Sequence, residues 1–151
     1  MALDDDVRIL SGVGLFESFT QEQLRLLAFG AEGLSIPNRE ELFSEGDPAD
    51  CAYVVARGRL GLFRERDGRR VAVGRIGPGI LIGEYALLAD TVRLTGAVAL
   101  EDSDLIRLNR KPFRRILEEY PDLAIALHRR VLADFRSMVS SIEGLAPRFG
   151  S

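Results

Sequence analysis

One short stretch of the chain combines residues that can bind an anion. Gly83-Glu84 follows an apolar run, and a helical turn that begins there would point several free backbone N–H groups in one direction. Glycine lets an anion approach the backbone closely. Arg93, nine residues after Glu84, can reach the same place and offer paired donors to phosphate oxygens. The sequence therefore predicts a phosphate-binding site in this stretch.

Glu84 has the wrong charge to bind a phosphate, but it suits a sugar. A carboxylate accepts hydrogen bonds from ribose hydroxyls, as acidic residues do in other nucleotide sites. One cation, backbone N–H donors and one hydroxyl acceptor match a singly charged phosphodiester fused to a ribose. The competing interpretation is that Glu84 and Arg93 form only a solvated surface ion pair, which would contribute little to stability.

The rarest residue types argue against catalysis. Cys51 is the only cysteine and His128 the only histidine. Metal-dependent oxygenases and phosphodiesterases need several histidine and carboxylate ligands, and a Ser-His-Asp triad would have to use His128, for which the sequence has no nucleophile elbow. We therefore expect a binding module that is not an enzyme, with no catalytic residue, metal or cofactor. Cys51 is expected in a strand and His128 on a helix surface.

The overall charge and hydropathy limit the choice of partners. The formal net charge is −3 over 151 residues, which does not favour a nucleic-acid-binding domain, so we expect no DNA binding by this chain. No apolar run reaches the roughly 18 residues of a membrane span. The N-terminus is acidic, unlike a secretory signal. The expected location is the cytoplasm, without membrane contact. Seven arginines between residues 57 and 75 are expected to face solvent on strands and a hairpin, or to contact a phosphate-rich partner.

The order of elements is a helical N-terminus (1–33), a β-barrel (34–109) and C-terminal helices (110–145), all within one domain (1–151). Thr20 and Gln23 have the spacing of a capping box at the start of a helix. Asp67-Gly68 between two apolar runs predicts a hairpin. Short strands separated by Gly and Pro turns are typical of an eight-stranded jelly-roll barrel, so the fold class is mainly β with flanking helices. Strands are predicted at 34–36, 41–43, 51–56, 59–64, 69–75, 95–100 and 104–108.

The last predicted helix, 122–145, carries an apolar seam. Its residues are spaced four and three apart, which is a heptad pattern: Val131, Phe135, Met138, Ile142 and Leu145. The first part of the helix, Leu123 to Leu127, is expected to pack on the barrel. The distal part extends beyond one barrel, so we expect a homodimer through this helix; the alternative is that the whole stripe packs on the barrel.

The sequence resembles the cyclic nucleotide-binding domains of the catabolite activator protein and of the regulatory subunits of cyclic-AMP-dependent protein kinase. The resemblance covers roughly Leu10 to Phe135. Its marks are Leu42-Phe43-Ser44-Glu45-Gly46-Asp47, Tyr53-Val54-Val55-Ala56-Arg57-Gly58, Gly77-Pro78-Gly79 and the phosphate-binding cassette, residues 82–95, with Gly83-Glu84 and Arg93.

The resemblance implies a regulatory module that senses a cyclic nucleotide, with cyclic AMP expected before cyclic GMP. It implies that Glu84 binds the ribose 2′-hydroxyl and that Arg93 binds the cyclic phosphate. The ligand-binding set is Gly83, Glu84, Tyr85, Ala86, Arg93, Leu94 and Thr95. Leu94 departs from the family, which usually has Ala, Ser or Thr there. A second hypothesis is therefore a degenerate relative that serves as an interaction or dimerisation module without nucleotide. A separate effector protein is a further expected partner.

Overall fold

The structure is a computed structural model that describes residues 2–133. Two helices, α1 (Ala2–Ser11) and α2 (Gln21–Phe29), precede the sheets, and a 3-10 turn (Gly14–Phe16) lies between them. Two helices follow the sheets: α3 (Arg110–Glu119) and α4, which the structure describes over residues 121–133. This arrangement confirms the predicted helices on both sides of a β region.

The start of α2 follows from its capping residues. The Thr20 hydroxyl accepts a hydrogen bond from the Gln23 backbone N–H, and the Gln23 side chain accepts one from the Thr20 N–H. This capping box satisfies two of the donors that a helix N-terminus leaves free. Gly30 is the residue at which the helix ends.

Ten strands lie within the described residues. They are β1 (Glu32–Ile36), β2 (Glu41–Phe43), β3 (Pro48–Ala49), β4 (Cys51–Arg57), β5 (Leu60–Arg66), β6 (Arg69–Ile76), β7 (Leu81–Ile82), β8 (Thr91–Val92), β9 (Gly96–Ala99) and β10 (Ser103–Asn109). Eight of them form two antiparallel four-stranded sheets, in the orders β1-β10-β4-β7 and β2-β9-β5-β6. The predicted jelly roll is confirmed. The sequence missed the pair β3-β8, because two-residue strands are too short to show an alternating pattern.

The β5-β6 hairpin turns at the predicted place. Asp67 and Gly68 both have positive φ, 55° and 75°, as a two-residue hairpin turn requires. Strand β6 is the outer strand of its sheet, and every residue from Arg69 to Arg75 is exposed. All seven arginines between residues 57 and 75 are exposed, which matches the predicted solvent-facing positions.

The core has two parts, and strand β4 separates them. Ala52 and Val54 belong to a cluster that joins the helices to one face of the first sheet. Cys51, Tyr53 and Val55 alternate with them and belong to a second cluster on the other face. This two-residue period gives β4 two buried faces. It places the side chains of Cys51 and Tyr53 on the side opposite the helices.

Helix α4 packs on the molecule through its first turns. Leu123 and Leu127 are buried in the cluster that contains the N-terminal helices, as predicted for this part of the helix. His128 is exposed on the helix surface. Of the predicted seam, Val131 is half-buried, and Phe135, Met138, Ile142 and Leu145 lie outside the described residues. No helix within residues 2–133 is both long and apolar enough to cross a membrane.

Candidate ligand-binding site

The predicted cassette is a strand, a short helix and a second strand. Strand β7 pairs with β4, so that Ile82 lies opposite Tyr53. A 3-10 helix then spans Glu84–Leu87, which matches the predicted single turn. The chain returns through β8 to Arg93. The Ala86 N–H donates to the Gly83 carbonyl, which closes the first turn of this helix at 3.0 Å.

The backbone conformation and the surroundings of position 83 both favour glycine. Its φ is +81°, in the left-handed region that side chains disfavour. A Cβ atom built on Gly83 would lie 2.5 Å from Nη1 of Arg93 and 3.4 Å from the carbonyl oxygen of Cys51. The missing side chain therefore leaves room for the guanidinium of Arg93 directly against the backbone of the cassette.

The backbone of Arg93 is fixed by the loop before β3. Its N–H donates to the Asp47 carbonyl and its carbonyl accepts from the Gly46 N–H, both at 2.8 Å. The Asp47 carboxylate in turn accepts from the Ser44 N–H at 2.9 Å. This loop was one mark of the family resemblance, and its structural role is to hold Arg93 in place.

The side chain of Arg93 is buried among aromatic rings, with only 7% of the residue exposed. Its Cζ atom lies 4.5 Å from the ring centre of Phe43 and 5.4 Å from that of Tyr53. Its Nη2 donates to the Cys51 sulfur at 3.2 Å. These contacts orient the guanidinium, since cation–π attraction strengthens when the cation is desolvated.

The positive charge of Arg93 has no carboxylate partner among residues 2–133. No ion pair joins it to Glu84 or to another described acid, and its buried Nη1 has no hydrogen-bond acceptor in this part of the chain. Burial, followed by the hydrogen bond with Cys51, raises the pKa of Tyr53 to about 12, so this phenol stays neutral and supplies no counter-charge. Because a buried charge normally has a partner, Arg93 is a candidate anion-binding residue. The alternative of a surface ion pair does not describe this arrangement.

One cavity of about 230 Å³ brings the predicted residues together. Gly83, Glu84, Tyr85, Ala86, Arg93, Leu94 and Thr95 all line it. The rest of the wall is mainly apolar and comes from Phe43, Ala49, Leu62, Leu81, Ile82, Thr91 and Val92. An apolar wall with a few convergent polar groups is typical of a small-molecule site.

Leu94, the departure from the family pattern, does not fill the cavity. The residue is 66% exposed although it lines the wall. Among the described residues, its backbone N–H has no hydrogen-bond acceptor. This position therefore leaves a backbone donor available and places an apolar side chain at the opening of the cavity.

The sequence did not identify Arg110, whose side chain binds the cassette from the side of α3. Its Nε donates to the Ala86 carbonyl at 2.5 Å, its Nη2 donates to the Ala49 carbonyl at 2.7 Å, and its Nη1 pairs with Asp90. Arg110 is the first residue of α3, so it ties this helix to the cassette and to β3. No local motif could have identified it, because all three partners are at least 20 residues away along the chain.

The fold and this site define a class of protein. Residues 34–120 match the family model described as the cyclic nucleotide-binding domain, and the chain belongs to that family. Among solved structures, a cyclic nucleotide-binding-like protein from Brucella abortus is 59% identical. The similarity covers 76% of this chain and 99% of that one, with a TM-score of 0.71.

Two further relatives extend the comparison. The cyclic AMP receptor protein of Thermus thermophilus is 32% identical over 127 residues, which are 81% of this chain and 59% of that protein. The regulatory domain of Toxoplasma gondii PKA, solved with cAMP, is 31% identical with a TM-score of 0.71, over 76% of this chain and 44% of that one. This chain thus spans little more than half of the Thermus protein, and 7% of the Chaetomium globosum lysophospholipase NTE1, to which it is 30% identical.

Proposed function

We propose that this protein is a regulatory module that binds a cyclic nucleotide, with cyclic AMP as its ligand and cyclic GMP as the closest competitor. The proposal rests above all on Arg93. Its guanidinium is buried, lacks a carboxylate among residues 2–133 and leaves Nη1 without an acceptor beside the cavity. A cyclic phosphate carries one negative charge and oxygens that accept from a guanidinium fork.

The roles of the other residues follow from their positions around Arg93. Glu84 lies on the wall of the same cavity without an ion pair to Arg93, so its carboxylate can accept from the ribose 2′-hydroxyl. Backbone N–H groups near Tyr85, Ala86 and Leu94 would assist at the phosphate, although the Ala86 N–H would have to be shared with the Gly83 carbonyl that it already contacts. Gly83 gives the ligand access to the backbone, and Thr95 completes the wall. Tyr85 lines the cavity and can shield the ligand.

The proposed activity is binding without catalysis. The relatives that carry this domain include a cyclic AMP receptor protein and the regulatory domain of a kinase. We propose that residues 1–151 act as one such domain. In this proposal, ligand binding changes the surface around α3 and α4, and a separate effector protein binds the changed surface. Arg110 provides the physical link, since it joins the cassette to the first turn of α3.

The test is a titration of ligand-free protein with cyclic AMP, cyclic GMP and linear 5′-AMP, measured by calorimetry and by thermal unfolding. A ligand at about 100 times its Kd stabilises the protein by about 2.7 kcal/mol, which raises the Tm by roughly 5–10 °C in a chain of this size. Cyclic AMP is expected to give the largest shift. Linear 5′-AMP controls for charge, because its phosphate monoester carries more negative charge but is not fused to the ribose.

A specific observation supports the second hypothesis, a degenerate module without nucleotide. Leu94 presents an apolar side chain at the opening of the cavity, where the family usually has a small residue. If millimolar cyclic AMP and cyclic GMP leave the Tm unchanged in protein freed of co-purified nucleotide, this second function replaces the first.

We also propose a homodimer through the helix that the sequence predicts over residues 122–145. The support is the heptad spacing of Val131, Phe135, Met138, Ile142 and Leu145, since a continuous apolar stripe is rarely left in water. The double variant Phe135→Glu/Ile142→Glu should be a folded monomer in light scattering. If the unmodified protein is already a monomer at tens of micromolar, the proposed interface is wrong.

A further inference from the structure

A second concave surface lies at the start of α3, away from the Arg93 cavity. It encloses about 650 Å³, and its lining combines Gly30 after α2, Glu32 at the start of β1 and Asp50 with the residues of 109–115 other than the buried Phe113. Three of the lining residues are exposed cations on one helix: Lys111, Arg114 and Arg115. We call these three residues the α3 basic face.

The α3 basic face places like charges close together on one helix. Lys111 lies in the first turn of α3, where the helix dipole is positive and disfavours a cation. Arg114 and Arg115 lie three and four residues after Lys111, so like charges share one side of the helix. Glu118 and Glu119 follow Arg114 and Arg115 at a spacing of four, but within residues 2–133 the side chains of the three cations make no hydrogen bond or ion pair. These cations are therefore available to an external anion.

The residue that precedes α3 does not relieve this charge. Asn109 is the N-cap residue, but its side chain makes no cap hydrogen bond. Its amide donates to Glu32 at 2.8 Å and accepts from Arg107 at 3.1 Å. The first turn of α3 therefore adds its positive end to the three side-chain cations.

An exposed aromatic side chain adjoins the same surface. Phe29, the last residue of α2, is 82% exposed. Gly30 follows it and lies against α3, because a Cβ atom on Gly30 would be 2.9 Å from Cβ of Pro112. Phe29 is therefore one residue along the chain from the lining of the concavity, and aromatic residues and Arg are both enriched in protein–protein contacts.

We propose that the α3 basic face and Phe29 together form a docking site for an acidic protein segment that carries an apolar side chain. The three cations would pair with carboxylates of the partner, and the apolar side chain would cover Phe29. Glu32 and Asp50 line the same concavity and interrupt its positive charge, so spaced carboxylates of a peptide fit it better than the continuous phosphates of a nucleic acid or a lipid surface. The concavity shares no lining residue with the Arg93 cavity, although Arg110 of its lining also donates to the Ala86 carbonyl of the cassette.

The experiment uses the full chain and a short fluorescein-labelled peptide of alternating glutamate and leucine. Fluorescence anisotropy measures its Kd for the unmodified protein and for Lys111→Glu/Arg114→Glu/Arg115→Glu. The matched control is Arg64→Glu/Arg69→Glu/Arg75→Glu, which makes the same charge change on the exposed β5-β6 hairpin. Reversal on α3 should weaken binding by about tenfold or more, since three exposed ion pairs are lost. The hairpin variant should change the Kd by less than about threefold, because distant charges are screened.

Several further measurements decide the proposal. The peptide with glutamine in place of glutamate should not bind. The single substitution Phe29→Ala should weaken the binding of the glutamate peptide. Thermal unfolding of the α3 variant is measured beside that of the unmodified protein, because the new acids at positions 114 and 115 would repel Glu118 and Glu119 four residues later. If this variant fails to fold, the triple glutamine variant replaces it. Equal losses in the α3 and hairpin variants, or no peptide binding at millimolar concentration, overturn the proposal. Tighter binding of duplex DNA or of phosphatidylglycerol vesicles than of the peptide also overturns it.

Discussion

Two arginines of this protein lie over aromatic rings, yet their surroundings differ. The Cζ atom of Arg70 is 4.2 Å from the ring centre of Phe63, and that of Arg93 is 4.5 Å from the ring centre of Phe43. Arg70 also pairs with Glu41 at 2.9 Å, and its side chain is 51% exposed. Arg93 is buried and has no carboxylate among the described residues.

The difference shows that the residue type and the ring contact do not define a ligand site. At Arg70, water and Glu41 already stabilise the charge, so an external anion would gain little. At Arg93, the protein has desolvated a cation and supplied only a sulfur and two aromatic faces. A buried charge without a partner is costly. That cost would be recovered if an anion entered the cavity, so we expect Arg93 to have the larger effect on binding.

The largest effect is expected for Arg93→Met, which keeps much of the side-chain volume and removes the charge. Cyclic nucleotide affinity should fall by about 10- to 150-fold, since a hydrogen bond to a charged group contributes roughly 1.5–3 kcal/mol. The ligand-free protein should become more stable by about 1–3 kcal/mol, because an uncompensated buried cation is gone. Calorimetry measures the first quantity and urea unfolding the second.

Arg70→Met is the matched control for this pair of measurements. It removes a cation of the same type from an aromatic ring, but at an exposed, paired position. Its affinity for cyclic AMP should stay within about twofold of the unmodified protein, and its stability should fall by no more than about 1 kcal/mol. If the two variants behave alike, burial is not what distinguishes the two arginines.

The next largest effect is expected for Gly83→Ala. The new Cβ would meet Nη1 of Arg93 at 2.5 Å, and the φ of +81° is strained for alanine. Gly68→Ala is the control, since its φ is +75° and the space around its Cβ is open. We expect about 1 kcal/mol of destabilisation for Gly68→Ala from the backbone alone. Gly83→Ala should cost more and also weaken cyclic AMP binding by about tenfold, because Arg93 must move. Equal losses of stability in urea, together with unchanged affinity, would contradict the close approach of Arg93 to Gly83.

The sequence could predict the residues of the site that are close along the chain, but not the contacts that folding brings to them. Gly83, Glu84 and Arg93 lie within one short segment, so their spacing alone predicted the candidate site. The sequence did not predict that Phe43 and Tyr53 contact Arg93, because sheet pairing brings these two residues to it from other parts of the chain.

The fold shows the same division between local and long-range information. The β5-β6 hairpin and the α2 cap were predicted because their signals are local. The two-residue strands β3 and β8 were not, since only their pairing across 42 to 44 residues of chain makes them strands. Arg110 was missed for the same reason: its role depends on contacts with Ala86 and Ala49 that tertiary packing creates.

A smaller effect is expected for Arg110→Ala, which tests whether the cassette needs support from α3. The change leaves the carbonyls of Ala86 and Ala49 without this donor, so stability should fall by about 1–3 kcal/mol. Cyclic AMP affinity should fall by about three- to tenfold, because the cassette is less well positioned. Arg114→Ala, on the same helix without a described partner, should change neither quantity. An unchanged affinity in Arg110→Ala would show that the cassette holds its geometry without α3.

The smallest effect is expected for Glu84→Ala, and it separates the two charged residues of the site. If Glu84 accepts from a ribose hydroxyl, its loss removes a contact to a neutral group at a half-exposed position, where water can partly replace the carboxylate. We expect the affinity for cyclic AMP to fall by about fivefold, less than for Arg93→Met. A 2′-deoxy analogue of cyclic AMP provides the cross-check, since it lacks the hydroxyl that Glu84 is proposed to bind. The unmodified protein should bind this analogue about fivefold more weakly than cyclic AMP, whereas Glu84→Ala should bind the two ligands equally. If the variant still discriminates between them, or if its loss of affinity equals that of Arg93→Met, Glu84 does not bind the 2′-hydroxyl.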